Sequence, residues 1–296
     1  MESVDTKQLT EAVLCPICKG NSLIIDMVKT FNPNSVDTFN LRKCRNCKHW
    51  WIDPIPNQEY LSHLYANNSE FVVHRGYDEE SKYQEVDWKG LQEYTSQIFN
   101  VIAQHDKFNY LEVGVGSGHL FNYFIGKANL CYGVEPGCWK PSNPNIVSDI
   151  KDIPKDVTFD VIVIQDVLEH LADPVDMLLQ LKSMANKGCL ITCGFPNNNS
   201  LWALLFKGNW RMVRPIGHLH FFSKKSVVKA FNKTGWKIIT RSSCRAGRIS
   251  AWDAIKKFNW KLFKNPLRGT YRLCKNLLVG QLVLGKDQWY IRARSD

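Results

Sequence analysis

The chain has 296 residues and is 44% hydrophobic, enough for one large domain with a packed core and a smaller unit beside it. Its net charge is +10, yet thirteen Lys or Arg against three Asp or Glu lie between Arg241 and Asp296, so the first 240 residues are neutral overall. There is no basic-then-apolar leader and no run of eighteen apolar residues, so the sequence predicts neither a signal peptide nor a spanning helix, and a soluble, cytoplasmic protein is expected.

Four of the ten cysteines form two pairs, Cys15–Cys18 in "CPIC" and Cys44–Cys47 in "CRNC". Each Cys-x-x-Cys turn puts two sulfurs on one side of a tight loop, and two such knuckles joined by a hairpin can give four thiolates to one tetrahedral Zn²⁺. The intervening stretch has short apolar runs around a polar turn at Asn32–Ser35, as that hairpin requires. So short a segment buries little surface alone, so a structural metal would stabilise it. A redox dithiol would use one pair rather than two. The other six cysteines are scattered, which argues against a disulfide framework in a chain without a leader. We therefore expect a zinc ribbon over residues 1–55. A helical connector is expected over 56–105, entered through Pro54 and Pro56.

Next comes "FNYLEVGVGSGHLFNYFIGK", an apolar strand, a turn and a helix. Gly114, Gly116 and Gly118 are spaced G-x-G-x-G, and His119 stands where a dinucleotide fingerprint would place its third glycine. Glu112 precedes the first glycine by two residues, which suits a ligand with a cationic amine better than a pyrophosphate. The next strand ends at Glu135, where a carboxylate can accept two hydrogen bonds from a ribose diol. Asp149 follows a third short strand and could accept from an adenine amino group. "FDVIVIQDVLEHLADPVDMLLQL" is a buried strand with Asp166 at its carboxyl end, then a helix with Asp173, Pro174 and Asp176 at N-cap, N1 and N3. "KGCLITCGFP", "GWKIITRSSC" and "DQWYIRARS" read as three further strands.

The segments "LEVGVGSG", "GVEP", "SDIKDIP" and "FDVIVIQDVLEHLADP", in this order, resemble the class I S-adenosylmethionine-dependent methyltransferases over roughly residues 85–296. The resemblance implies an α/β fold, a seven-stranded doubly wound, Rossmann-like sheet of strand order 3-2-1-4-5-7-6 over 106–296. It implies that Glu112 with Gly114, Val115, Gly116 and Gly118 cradles the methionine part of the cofactor. Glu135 with Pro136 would hold the ribose, Asp149 with Ile150 would frame the adenine, and Asp166 would lie near the methyl group. The ribbon followed by "DPIPNQEYLSHLY" is similar to bacterial methyltransferases of polysaccharide and secondary-metabolite pathways, which implies a sugar or glycan-like acceptor, methylated at oxygen.

A hydroxyl acceptor benefits from a base, and histidine is the usual one. His218 is the first candidate and His170 the second, with His220 and Asp166 behind them. In "GHLHFF" an extended backbone would put His218 and His220 on one face, although either could instead be a packed core histidine. A second metal site from Glu169, His170, His218 and His220 is conceivable. The absence of an Asn/Asp-Pro-Pro-aromatic motif and of a Pro-Cys pair after the fourth main strand disfavours amine methylation of bases and cytosine C5 chemistry. Phe195, Trp202, Phe206, Trp210, Phe221 and Phe222 either cover the core or wall an acceptor pocket.

An insertion at about 247–285 separates the last two strands. Trp252, Ile255, Phe258 and Leu262 recur at helical spacing among lysines, so 252–275 could meet an anionic membrane at the inner face or a phosphate-bearing substrate, or simply cap the active site. Two rival functions remain: an RNA methyltransferase gripping nucleic acid through ribbon and basic tail, and a non-catalytic zinc-dependent binding module on a methyltransferase scaffold.

Overall fold

The computed structural model describes residues 13–29, 38–57, 61, 107–116, 118–137, 142–215, 217–244 and 287–296. The expected helical connector lies outside them except for residues 56, 57 and 61. The polar turn at 32–35 and the basic insertion lie wholly outside.

The described residues form two sheets. The larger has seven strands: β4 (Asn109–Val113), β5 (Leu130–Val134), β6 (Ile146–Val147), β7 (Phe159–Gln165), β8 (Ala185–Pro196), β10 (Trp236–Cys244) and β11 (Gln288–Ser295). Their spatial order is β10-β11-β8-β7-β4-β5-β6. Renumbered within this sheet, that is the expected 3-2-1-4-5-7-6 order. β4 to β8 are parallel, and β11 inserts antiparallel between β8 and β10.

The parallel strands are buried on both faces, so they read as apolar runs rather than alternations. On β7, Ile162 and Ile164 point into one core with Leu111, Leu178 and Phe231, while Val161 and Val163 point into the other with Tyr110, Phe121 and Phe124. All four β7 side chains are fully enclosed, and each contributes roughly 1.5–3 kcal/mol of burial. Helices α1 (His119–Phe124), α2 (Pro174–Ser183) and α4 (Lys224–Lys233) supply the covering residues; α3 (Leu201–Phe206) is a short surface helix. At α2 the expected cap is present: Asp173 accepts from the N–H groups of Val175 (2.9 Å) and Asp176 (3.0 Å), with Pro174 as the first helical residue.

The smaller sheet draws on both halves of the chain. Its strands are β1 (Ser22–Lys29), β2 (Thr38–Cys44), β3 (Trp50–Asp53) and β9 (His220–Phe221). The first two form the expected hairpin. β3 lies within residues 1–55, and it pairs onward with β9, which belongs to the half of the chain after residue 106: Trp50 faces Phe221 and Trp51 faces His220. Trp50 and Ile52 pack with Trp210 and Phe221 on one side of this sheet, while Trp51 reaches the main core on the other. The ribbon is therefore joined by backbone pairing to β9 and by shared packing to the main core. Among the described residues no helix is long and apolar enough to cross a membrane.

Candidate functional site

The carboxyl edge of the parallel strands carries the first half of the site, as doubly wound sheets dictate. β4 runs into a turn in which Gly114 (φ 83°), Gly116 (φ 53°) and Gly118 (φ 83°) are all left-handed. A Cβ on Gly114 would lie 2.3 Å from Val167 Cγ2, so only glycine fits there. A Cβ on Gly116 would meet nothing within 4 Å, so this turn presents an open face.

Glu135, at the end of β5, holds that turn in shape. Its Oε2 accepts from Gly116 N–H (2.7 Å) and its Oε1 from Gly137 N–H (2.8 Å). Glu112 is buried and accepts from the Tyr110 hydroxyl at 3.0 Å. Burial pushes its carboxyl up to about 8, with the nearby Glu135 charge adding to the rise and the Tyr110 hydrogen bond opposing it. Val115 is buried against α1, and Pro136 follows Glu135 on the rim. Asp149 caps a 3-10 turn at Ile150–Asp152 and accepts from Lys151 N–H at 3.0 Å; Ile150 is buried beneath it. Asp166, just past β7, has φ 53° and accepts from Gln288 Nε2 at 3.0 Å. A non-glycine residue held left-handed at a strand's carboxyl end is strain of the kind found at functional sites.

The second half is built from two segments. A 3-10 turn, Leu168–His170, follows β7 and buries Glu169 and His170. The loop before β9 brings in His218. Glu169, His170 and His218 each place a ligand-type atom within 4.8 Å of the others. The His170 and His218 rings meet edge to face at 4.8 Å. His170 Nδ1 is bonded to the Gly217 carbonyl, and His218 Nδ1 to the Met212 carbonyl at 2.7 Å. Leu219, between the two loop histidines, is held on both sides: its N–H donates to Glu169 O (2.7 Å) and its carbonyl accepts from Ile52 N–H of the ribbon (2.9 Å).

His220 does not share His218's surroundings. It is fully buried in β9, with Nδ1 at 3.1 Å from His49 Nε2 and Nε2 at 3.4 Å from the Ala172 carbonyl. Only two residues of "GHLHFF" form strand, so the alternation expected to align the two histidines is not sustained. Burial lowers the His220 imidazole to about 4, and desolvation with the neighbouring His220 pulls His49 well below its usual value. His49 has no signal in the sequence beyond its place two residues after Cys47. Of the aromatic residues from the same region, Phe195, Trp210, Phe221 and Phe222 are core, and Phe206 is 44% exposed.

The four ribbon cysteines also converge. The Sγ atoms of Cys15 and Cys47 are 3.6 Å apart, as are those of Cys18 and Cys44, and all four lie within 4.8 Å of one another. Four thiolates around Zn²⁺ at about 2.3 Å would be spaced about 3.8 Å apart, so the set fits that ion. Cys44 Sγ also accepts from the N–H groups of Asn46 (3.3 Å) and Cys47 (3.4 Å), contacts that stabilise a thiolate.

A protein-family model described as "Methyltransferase domain" matches residues 58–241. An uncharacterized protein of Methanocaldococcus jannaschii is 27% identical over 167 residues, covering 55% of this chain and 81% of that protein. Among solved structures, magnesium protoporphyrin IX methyltransferase from Synechocystis PCC 6803, with bound S-adenosylhomocysteine, aligns at 13% identity and TM-score 0.49, over 81% of this chain and all of that one. A SAM-dependent methyltransferase from Archaeoglobus fulgidus aligns at 17% identity and TM-score 0.43, over 69% of this chain and 94% of that one.

Proposed function

The chain belongs to the methyltransferase domain family, and from that premise we propose that it moves the methyl group of S-adenosylmethionine to a hydroxyl oxygen of a sugar or glycan-like acceptor. The observation that carries the oxygen reading is the Glu169–His170–His218 group, delivered to the carboxyl edge of β7, the strand next to the one that ends in Glu112 and the glycine turn. A hydroxyl is a poor nucleophile until its proton is drawn away, and these side chains stand where that can happen. The similarity of the ribbon-plus-methyltransferase order to enzymes of polysaccharide and secondary-metabolite pathways supports the sugar class.

The cofactor supplies a methyl group on a cationic sulfonium, already activated for displacement. The chain's residues fit it. The open face at Gly116 admits the ligand to the backbone, and Glu112 offers a carboxylate to its ammonium end. Glu135 holds the turn and has lone pairs left for a ribose diol. Asp149 and Ile150 stand past β6, on the adenine side in this reading. His218 and His170, with Glu169, hold and activate the acceptor hydroxyl, and Asp166 shapes the edge between the two halves. His220 belongs to the ribbon seam. We further propose that Cys15, Cys18, Cys44 and Cys47 bind one structural Zn²⁺.

His218→Ala tests the acceptor side. Turnover should fall about 10²–10⁴-fold while cofactor affinity is retained. Near-normal turnover by a folded variant would reduce His218 to a packing role. A product methylated on nitrogen or carbon, or RNA outcompeting sugar acceptors, would overturn the acceptor class.

A further inference from the structure

Glu169, His170 and His218 form a constellation that proton removal alone does not require. Their three ligand-type atoms converge within 4.8 Å, and Glu169 and His170 are only 1% and 5% exposed. The convergence is set by backbone: Leu219 N–H donates to Glu169 O and so fixes the His218 loop against the turn carrying the other two. Both rings have Nδ1 against a backbone carbonyl, of Gly217 for His170 and of Met212 for His218. A carbonyl can only accept, so in each neutral ring Nδ1 carries the proton and Nε2 the lone pair. Metal-ligating histidines are oriented in this way by an outer hydrogen bond.

We propose that Glu169, His170 and His218 bind a divalent first-row cation, and that the cation's open positions take an acceptor bearing two adjacent oxygens, such as a vicinal diol. Two imidazoles and a carboxylate suit Mn²⁺, Fe²⁺, Co²⁺ or Zn²⁺. This group contains no cysteine, so it is chemically distinct from the ribbon cluster. His220, engaged with His49 and Ala172, is not a member. A cation would also offset the cost of burying a carboxylate beside two imidazoles.

The inference rests on the O-methylation reading and specifies how the acceptor is activated. A hydroxyl bound to the cation gives up its proton to water more readily than a free one. The resulting oxygen then forms its bond to the methyl carbon as the sulfur–carbon bond breaks, and that bond's electron pair passes to sulfur, leaving a neutral thioether.

The test is Mn²⁺ binding to the full-length, zinc-loaded protein, followed by the loss of the free-ion electron paramagnetic resonance signal. Mn²⁺ is too hard to displace zinc from thiolates. One Mn²⁺ per chain is expected, with Glu169→Gln and His218→Gln each weakening it at least about tenfold. S-adenosylhomocysteine binding in both variants would show that they are folded. Equal Mn²⁺ binding by wild type and a folded Glu169→Gln/His218→Gln double variant would overturn the proposal. Full methyl transfer after the Mn²⁺ site is stripped would overturn its role in activation while leaving O-methylation intact. A bound metal without oxygen methylation would instead count against the proposed function.

Discussion

Glu135→Ala is the most informative single change on the cofactor side. Both carboxylate oxygens accept backbone N–H groups, from Gly116 at 2.7 Å and Gly137 at 2.8 Å, so the side chain organises the turn before any ligand arrives. Two oxygens offer about four lone-pair sites, of which these bonds use two, leaving the others for a ribose diol. Hydrogen bonds to a charged group contribute roughly 1.5–3 kcal/mol. Loss of the ribose contacts should therefore raise the cofactor Kd by about 10–150-fold. Two unpaired N–H groups in the turn should also lower Tm in the ligand-free protein. Glu135→Gln keeps one good acceptor and should fall between. Titration calorimetry with S-adenosylhomocysteine, alongside thermal melts, measures both effects. The ribose role is refuted if Kd is unchanged in a folded variant, or if the penalty is the same for a ligand lacking the 2′- and 3′-hydroxyls.

Cys44→Ser with Cys47→Ser should reduce zinc content from one ion per chain to less than about a tenth, read by elemental analysis; undiminished zinc would place the ion elsewhere. Glu112 is held protonated near neutrality because its carboxyl is raised to about 8. A cationic ligand beside it should ionise it, so cofactor binding should release a proton at pH 7 and tighten about tenfold per pH unit until the pH nears that value. Calorimetry in buffers of different ionisation enthalpy reads the release, and Glu112→Gln should abolish it. The buried pair His49–His220 stays neutral when folded, with His220 lowered to about 4. Unfolded histidines take up protons below about pH 6.5, where the folded pair does not, so stability should fall as pH drops through that window. His220 alone would remove about 3 kcal/mol by pH 4, and replacing both residues by leucine should flatten that part of the urea-measured slope.

Much of the large sheet was legible because each of its signals is local. A strand that ends in an acid and turns through three glycines is written in ten consecutive residues, and the α2 cap in four. The cysteine pairs were legible for the same reason. β3 was not, because "WWID" has no alternation to show: Trp50 and Ile52 are enclosed on one side of the sheet and Trp51 on the other. A strand buried on both faces looks like any short apolar run. β9 was beyond reach altogether, since two residues carry no periodicity and its partner lies about 170 positions away in the chain. The same long-range pairing explains why His218 and His220, alike in sequence, have unlike surroundings.

That pairing bears on what the ribbon is for. A module tethered only to dock a partner could hang from its linker, but this one meets the Glu169–His218 group directly. Leu219 donates to Glu169 and accepts from Ile52, so one residue ties the His218 loop to both the Leu168–His170 turn and the ribbon. Around it, Asn198 Nδ2 donates to the Lys48 and Phe221 carbonyls, at 2.9 and 2.8 Å, and the Ser223 hydroxyl donates to the Cys47 carbonyl. Cys47 is thus a candidate metal ligand whose carbonyl also accepts from the hydroxyl of Ser223, the N-cap of α4, the helix that follows β9 directly. Each of these bonds contributes only about 1 kcal/mol, but they gather on the five residues from 219 to 223 and on Asn198 beside them. If His218 acts on an acceptor as proposed, its loop must be held to within a fraction of an ångström, and loops alone rarely are. In this chain the ribbon supplies the rigid edge against which that loop is set.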